Sequence, residues 1–201
     1  MIKLSNNTII GLIGMSGAGK TTVCKCFSEA GYDVIDCDIS AREVVSVGMN
    51  SLNELKRELS PDIIKSDGTL DRRLTGDIIF NSDEKRAVFN RIIYPYITYN
   101  VIMKIKASDK CILLDAPTLY EARLEGICDR IVSVCADTEV CTNRIMMRDS
   151  ITRAQAAARL GSQHDIEWYQ KRSDHCIINN GTKEQLSAAA INIIDQLKGT
   201  R

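Results

Sequence analysis

Histidine is scarce in this 201-residue chain: His164 and His175 are the only two. That argues against a histidine metal centre and against a histidine-based catalytic triad. Net charge is missing as well, because 26 Lys and Arg balance 26 Asp and Glu. No overall field therefore draws the chain to nucleic acid or to a membrane surface, and an anionic ligand has to be held by a local cluster. No apolar run approaches the ~18 residues that a membrane-spanning helix needs. The opening Met1-Ile2-Lys3-Leu4-Ser5-Asn6-Asn7 lacks the apolar segment of a signal peptide, so a cytoplasmic location is expected. The eight cysteines form no C-x-x-C. Zinc-site spacing is thus missing, and the thiols read as reduced, mostly buried side chains.

What is present is an ordinary globular composition, 44% hydrophobic and 26% charged, at a length that suits one α/β domain with an inserted subdomain. The most informative stretch is Gly14-Met15-Ser16-Gly17-Ala18-Gly19-Lys20-Thr21, which matches the phosphate-binding P-loop pattern G-x-x-x-x-G-K-[ST]. An apolar segment, Thr8 to Ile13, precedes it as a buried strand. Val23, Phe27 and Ala30 follow at helical spacing up to Gly31. Strand, glycine loop and helix are the context the motif requires. The glycines let phosphate approach bare backbone, and successive N–H groups from Ser16 to Thr22 then face the anion at a helix start. Lys20 reaches the β- and γ-phosphates, and the Thr21 hydroxyl is placed to ligate Mg2+. ATP and Mg2+ are the cofactors expected.

Further along, Tyr32 to Asp36 is a second short strand, ending in Asp36-Cys37-Asp38. From Ile39 to about Asp109 the pattern is helical. Asp71 is placed to cap one helix there, and another is expected to end near Tyr94-Pro95. That is far longer than a plain crossover needs, and it reads as a helical insert covering an acceptor substrate. Cys111 to Asp115, Arg130 to Cys135 and Cys176 to Asn179 supply three more strands. The fold expected is α/β: a three-layer P-loop kinase with a five-stranded parallel sheet, a helical acceptor-binding insert and a helical lid. Residues 1–38 and 111–201 would form the nucleotide-binding core, with the lid at about 149–172. Residues 39–110 would form the helical subdomain.

Several groups admit two readings. Asp38, at a strand end beside the P-loop, suits an acid that orients or deprotonates an acceptor hydroxyl or holds Mg2+, and equally a helix N-cap. Asp115 is either a Walker B metal acid or a strand-end acid that accepts loop hydrogen bonds. Arg144, Arg148, Arg153, Arg159, Lys171 and Arg172 form a lid that stabilises the transferring phosphoryl group or a solvated helix face. Asn179-Asn180-Gly181 contacts adenine or simply makes a turn. A nucleoside or nucleoside monophosphate kinase fits the P-loop core too. A P-loop binding protein or switch without an acceptor fits less well, because of the helical insert and the lid arginines.

Taken together, these residues resemble the dephospho-coenzyme A kinase family nearly from end to end. Val34-Ile35-Asp36-Cys37-Asp38-Ile39-Ser40-Ala41-Arg42-Glu43-Val44-Val45 is similar to that family's V-I-D-A-D-x-I-A-R-x-V-V. Asp67 to Arg73 resembles D-G-x-L-D-R, Asp115 to Glu121 resembles D-x-P-L-L-F-E, and Arg144 with Arg148-Asp149 resembles R-x-x-x-R-D. Arg159 and Gln163 resemble R-I-x-x-Q, and Asp174 with Ile178 to Gly181 resembles A-D-x-V-I-D-N-x-G. The resemblance implies transfer of the ATP γ-phosphate to the ribose 3′-hydroxyl of dephospho-coenzyme A, the final step of coenzyme A synthesis. It implies Lys20, Asp38, Arg144 and Arg148 as catalytic residues, and Gly14, Ser16, Gly17, Ala18, Gly19, Lys20, Thr21, Thr22 and Asn180 on the nucleotide. It places Asp38, Arg42, Asp71 and Arg72 on the acceptor, and it weakens Asp115 as a metal ligand. The partner expected is the small-molecule acceptor, with no nucleic acid and no membrane, and the chain a monomer or weak homo-oligomer. Tyr94 stands where the family usually has His, and Tyr169 where a lid Lys is common.

Overall fold

The computed structural model describes residues 7–199. Five parallel strands, β1 (Ile9–Gly14), β2 (Asp33–Asp36), β3 (Ile112–Asp115), β4 (Arg130–Cys135) and β5 (His175–Ile178), form one sheet in the order β2-β3-β1-β4-β5. All six residues of β1 are buried, as expected of a central strand covered on both faces. The order reverses direction at β1: the chain moves to β2 and β3 on one side, then to β4 and β5 on the other. Ligands of open α/β sheets bind at the carboxyl ends of the strands flanking such a reversal.

The helices, in chain order, are α1 (Lys20–Glu29), α2 (Cys37–Glu43), α3 (Asn50–Glu58), α4 (Arg72–Phe80), α5 (Asp83–Ala107), α6 (Thr138–Asp149), α7 (Arg153–Gly161), α8 (Ile166–Lys171) and α9 (Lys183–Gly199). The chain divides into two compact units, one of residues 7–35 with 108–199 and the other of residues 36–107. In the first, α1 and α9 pack together, and α8 lies on β4 and β5. Its core is Ile10, Leu12, Phe27, Leu113, Leu114 and Val132. The second unit overlaps the helical subdomain expected at 39–110. Asp36 opens α2: its Oδ1 accepts the N–H groups of Asp38 at 2.8 Å and Ile39 at 3.0 Å.

The regular structure of the second unit is helical, joined by turns and loops and carrying a single antiparallel bridge, Ile64 to Leu70. Ile92, Ile93, Ile97, Val101 and Ile105 of α5 are buried, with Leu55 of α3 also fully buried. Lys104 of α5 donates to the buried Ser40 hydroxyl at 3.1 Å and to Glu43 at 2.6 Å, both on α2. The sequence reading ended a helix near Tyr94-Pro95. Instead α5 runs unbroken through Pro95 for 25 residues. An interior proline removes one backbone donor and costs about 3 kcal/mol relative to Ala. Here the buried row on either side of it holds the helix together, while the proline itself is exposed. Because the ring packs on nothing that burial would reward, Pro95→Ala is expected to raise stability. The check is the urea midpoint, with a gain of up to about 3 kcal/mol; an unchanged or lower midpoint would show that the ring's local packing outweighs the missing donor.

Candidate functional site

The P-loop begins where β1 runs out. At Gly14 (φ +155°) a Cβ would lie 2.3 Å from the Val134 carbonyl oxygen, and the next amide, Met15 N–H, donates to that same carbonyl at 3.1 Å. The loop can therefore turn only on a residue without a side chain. It closes at Gly19, the N-cap of α1 at φ +108°, where a Cβ would meet Leu186 at 2.6 Å. No side chain caps α1. The helix start beside Lys20 and the exposed Thr21 is thus free of a side-chain cap, the kind of helix start that binds anions, while Thr22 N–H is taken by the Gly19 carbonyl at 3.0 Å.

Lys20 does not project freely. Its ammonium pairs with Asp115 at the end of β3, with side-chain exposures of 18% and 17%. The register sets this pairing: Leu12 of β1 lies beside Asp115, two residues before the loop begins. Cys24, one turn beyond Lys20 on α1, donates its thiol to the other oxygen of Asp115 at 3.3 Å. Asp115 thus holds the P-loop lysine, a role between the two that the sequence offered.

Two side chains fix the opposite wall of the loop. Arg144 of α6 donates to the carbonyls of Asn179 and Gly181, both at 2.9 Å, and more weakly to that of Gly17 at 3.5 Å. Asn179 is buried, and its amide donates to the Ala18 carbonyl at 2.7 Å. Asn180 accepts the Asp137 N–H at 2.8 Å, at the start of α6. Arg144, expected on the transferring phosphoryl group, and Asn180, expected on the nucleotide, therefore brace the backbone around the loop. No sequence signal pointed to Asn179 as a clamp on Ala18, since the two are 161 residues apart.

The lid segment follows. The carboxylate of Asp149 accepts from Arg148 at 2.7 and 2.8 Å and also pairs with Arg159 of α7. Arg153 pairs with Glu139 of α6, and Thr152 with Gln155 forms a capping box on α7. Two guanidinium groups, Arg148 first, hold the Asp149 carboxyl down to about 2 from an ordinary value near 3.8. Asp165 opens α8, a helix the sequence reading did not separate, by accepting the Trp168 N–H at 2.8 Å. Tyr169 is buried in the core, and burial pushes its phenol up to about 12; it fills packing space and carries no lid charge. Ser16 N–H donates to the side chain of Gln163, between α7 and α8, at 2.9 Å.

In the helical unit, Asp36 is the N-cap of α2, and Asp38, itself exposed, lies in its first turn, so the capping reading belongs to Asp36. Arg42 is one turn further along α2. It lines a pocket of about 510 Å³ together with Lys65, Asp71, Arg72 and Arg73, on an apolar side made by Val45 and Leu70. Asp71 caps α4 by accepting the Leu74 N–H at 3.0 Å. The structure thus gathers Arg42, Asp71 and Arg72 around one cavity.

The Asp149 bridge has a defined pH window. A carboxyl whose folded pKa is depressed contributes stability above its unfolded value, near 3.8, and loses it as pH falls through about 2. At neutral pH, Asp149→Asn is expected to speed amide hydrogen exchange severalfold in residues 153–161 and to leave β1 and β4 unchanged. Equal exchange in the two proteins would mean that the bridge does not brace α7.

Residues 8–185 match the dephospho-CoA kinase family. Curated relatives include a dephospho-CoA kinase from Enterococcus faecalis, 34% identical over 180 residues, covering 88% of this chain and 90% of that protein. Another, from Bacillus cereus, is 36% identical over 197 residues, covering 93% and 98%. A solved structure from Thermus thermophilus superposes with a TM-score of 0.83 at 28% identity, covering 96% of this chain and 99% of that one. A dephospho-CoA kinase from Campylobacter jejuni shares the fold, with a TM-score of 0.73 at 23% identity and full coverage of both chains. A shikimate kinase from Acinetobacter baumannii has the same core fold, with a TM-score of 0.54 at 18% identity over 96% of each chain. With the family match spanning the P-loop, the helical unit and the lid segment alike, this chain belongs to the dephospho-CoA kinase family.

Proposed function

We propose that the chain transfers the γ-phosphate of ATP to the 3′-hydroxyl of the dephospho-coenzyme A ribose, giving coenzyme A and ADP. The observation that carries this reading is the extent of the family match, residues 8–185, which takes in the phosphate loop and the whole acceptor unit. Phosphoryl transfer needs little covalent help from a protein; it needs positioning and charge stabilisation. The P-loop amides and Lys20 hold the donor phosphates. Lys20 leaves Asp115 for the nucleotide without crossing a charge-free state, since one anion replaces another.

Mg2+ fits this site as a companion of the nucleotide. Thr21 offers its hydroxyl at the first turn of α1. Among the described residues no cluster of three or more Asp, Glu, His or Cys forms a dedicated cage. Mg2+ is commonly held in this way, by one or two protein oxygens plus phosphates and water. When bound, it neutralises charge on the β- and γ-phosphates.

The acceptor role falls to the helical unit. Its pocket presents four cations, Arg42, Lys65, Arg72 and Arg73, beside Val45 and Leu70. That chemistry suits an anionic ligand with a diphosphate, as dephospho-coenzyme A has. Asp38, one turn before Arg42, orients or deprotonates the hydroxyl. Arg148, on the lid, stabilises the transferring group once it exchanges Asp149 for phosphate.

A coupled ADP-release assay with dephospho-coenzyme A, AMP and a nucleoside tests the reaction: turnover with AMP or a nucleoside, and none with dephospho-coenzyme A, would sink it. Asp38→Asn is expected to lower kcat by about a hundredfold or more with ATP affinity nearly unchanged. Turnover surviving within a few-fold would remove Asp38 from the chemistry. Arg42→Ala is expected to raise KM for dephospho-coenzyme A by about tenfold with ATP KM unaltered; a matching rise for ATP would place Arg42 outside the acceptor pocket.

A further inference from the structure

Gln163 is the residue of the lid segment that reaches into the P-loop. Its side-chain oxygen accepts the Ser16 N–H at 2.9 Å across 147 residues of sequence. The P-loop amides are the donors a nucleotide offers its phosphate oxygens to. A carboxamide oxygen therefore sits on a donor that serves phosphate, and the two acceptors compete for it. The other end of the same carboxamide carries two N–H donors. A turn of the terminal torsion changes Gln163 from an acceptor for Ser16 into a donor for an anion at that place.

The supports of Gln163 are braced on both sides. Before it, α7 is tied through Arg159 to Asp149 and through Arg153 to Glu139. After it, Trp168 of α8 stacks on His164 at 3.8 Å and meets Tyr120 edge-on at 5.2 Å. The Arg172 guanidinium lies 4.9 Å from the Trp168 ring centroid. A short segment held at both ends places its side chain reproducibly, which is what a ligand contact requires.

We propose that Gln163 is a phosphate-contacting residue of the lid: it holds the Ser16 amide until a nucleotide phosphate oxygen takes that donor, and then donates its own N–H to the phosphate. No covalent bond changes in this exchange. The proposal rests on the P-loop taking a nucleotide, and it adds a residue to that site to which family resemblance alone gave no role.

Glutamate separates this role from a structural tie, because it has the same shape, still accepts from Ser16, and carries no N–H donor. ATP dissociation constants are measured without acceptor for the wild type, Gln163→Ala and Gln163→Glu. Emission of Trp168, the only tryptophan in the chain, and thermal melts establish that each variant is folded. The expected order is wild type tightest, Ala about threefold weaker and Glu more than about tenfold weaker, because the carboxylate both retains Ser16 and repels phosphate. The Glu deficit shrinks as pH approaches the carboxylate range. A Glu variant that binds like the wild type, or any other order, overturns the proposal. Because no acceptor is present, failure here is separate from failure of the kinase reaction, which the wild type's turnover of dephospho-coenzyme A decides.

Discussion

The constraint on which this structure turns is the contact between the backbone of Gly14 and the carbonyl of Val134. A central strand, buried along its whole length, ends against its neighbour with no room for a side chain. The chain has to leave the sheet there in a tight glycine loop, and that loop has to close onto the start of α1. Everything that binds phosphate follows from this exit. The clamp of Arg144 and Asn179 then fixes the backbone of the loop from the β5 side.

A chain with no net charge manages its cations by lending them to acids. Lys20 rests on Asp115, Arg148 and Arg159 share Asp149, and Arg153 rests on Glu139. Each is a positive group kept in place by a carboxylate of moderate or full exposure. Such pairs are individually weak, which suits the change of partner proposed above for Lys20 and Arg148. The Ser16 amide, held by Gln163, follows the same logic with a neutral acceptor.

The helical unit obeys a different rule. Its order comes from burial along α5, where a row of isoleucines and Val101 continues on both sides of Pro95. Hydrophobic packing outweighs the local cost of the proline, and the unit then presents its basic pocket on α2, α4 and the segments between them. The family match, residues 8–185, takes in both units, and the reading proposed above gives phosphate recognition to one and acceptor recognition to the other.

The sequence alone determined the elements whose signals are local. The P-loop, the five strands, the Asp71 cap and the helical character of residues 39–109 can each be read from spacing and from neighbouring residue types. Tertiary structure decided what depends on partners far apart in the chain. Pro95 reads as a stop until the buried face of α5 is seen to run through it. Asp38 reads as a cap in the sequence until the backbone shows that the carboxylate of Asp36 faces the helix start. The contacts of Arg144 with three backbone carbonyls, two of them 35 and 37 residues away, follow only from the packed fold. Asp115 becomes the partner of Lys20 only through the β1–β3 register, and Gln163 meets Ser16 only because the lid returns to the loop. Local patterns encode backbone preference within a few residues, whereas charge pairing and amide exchange are set by how the packed elements converge.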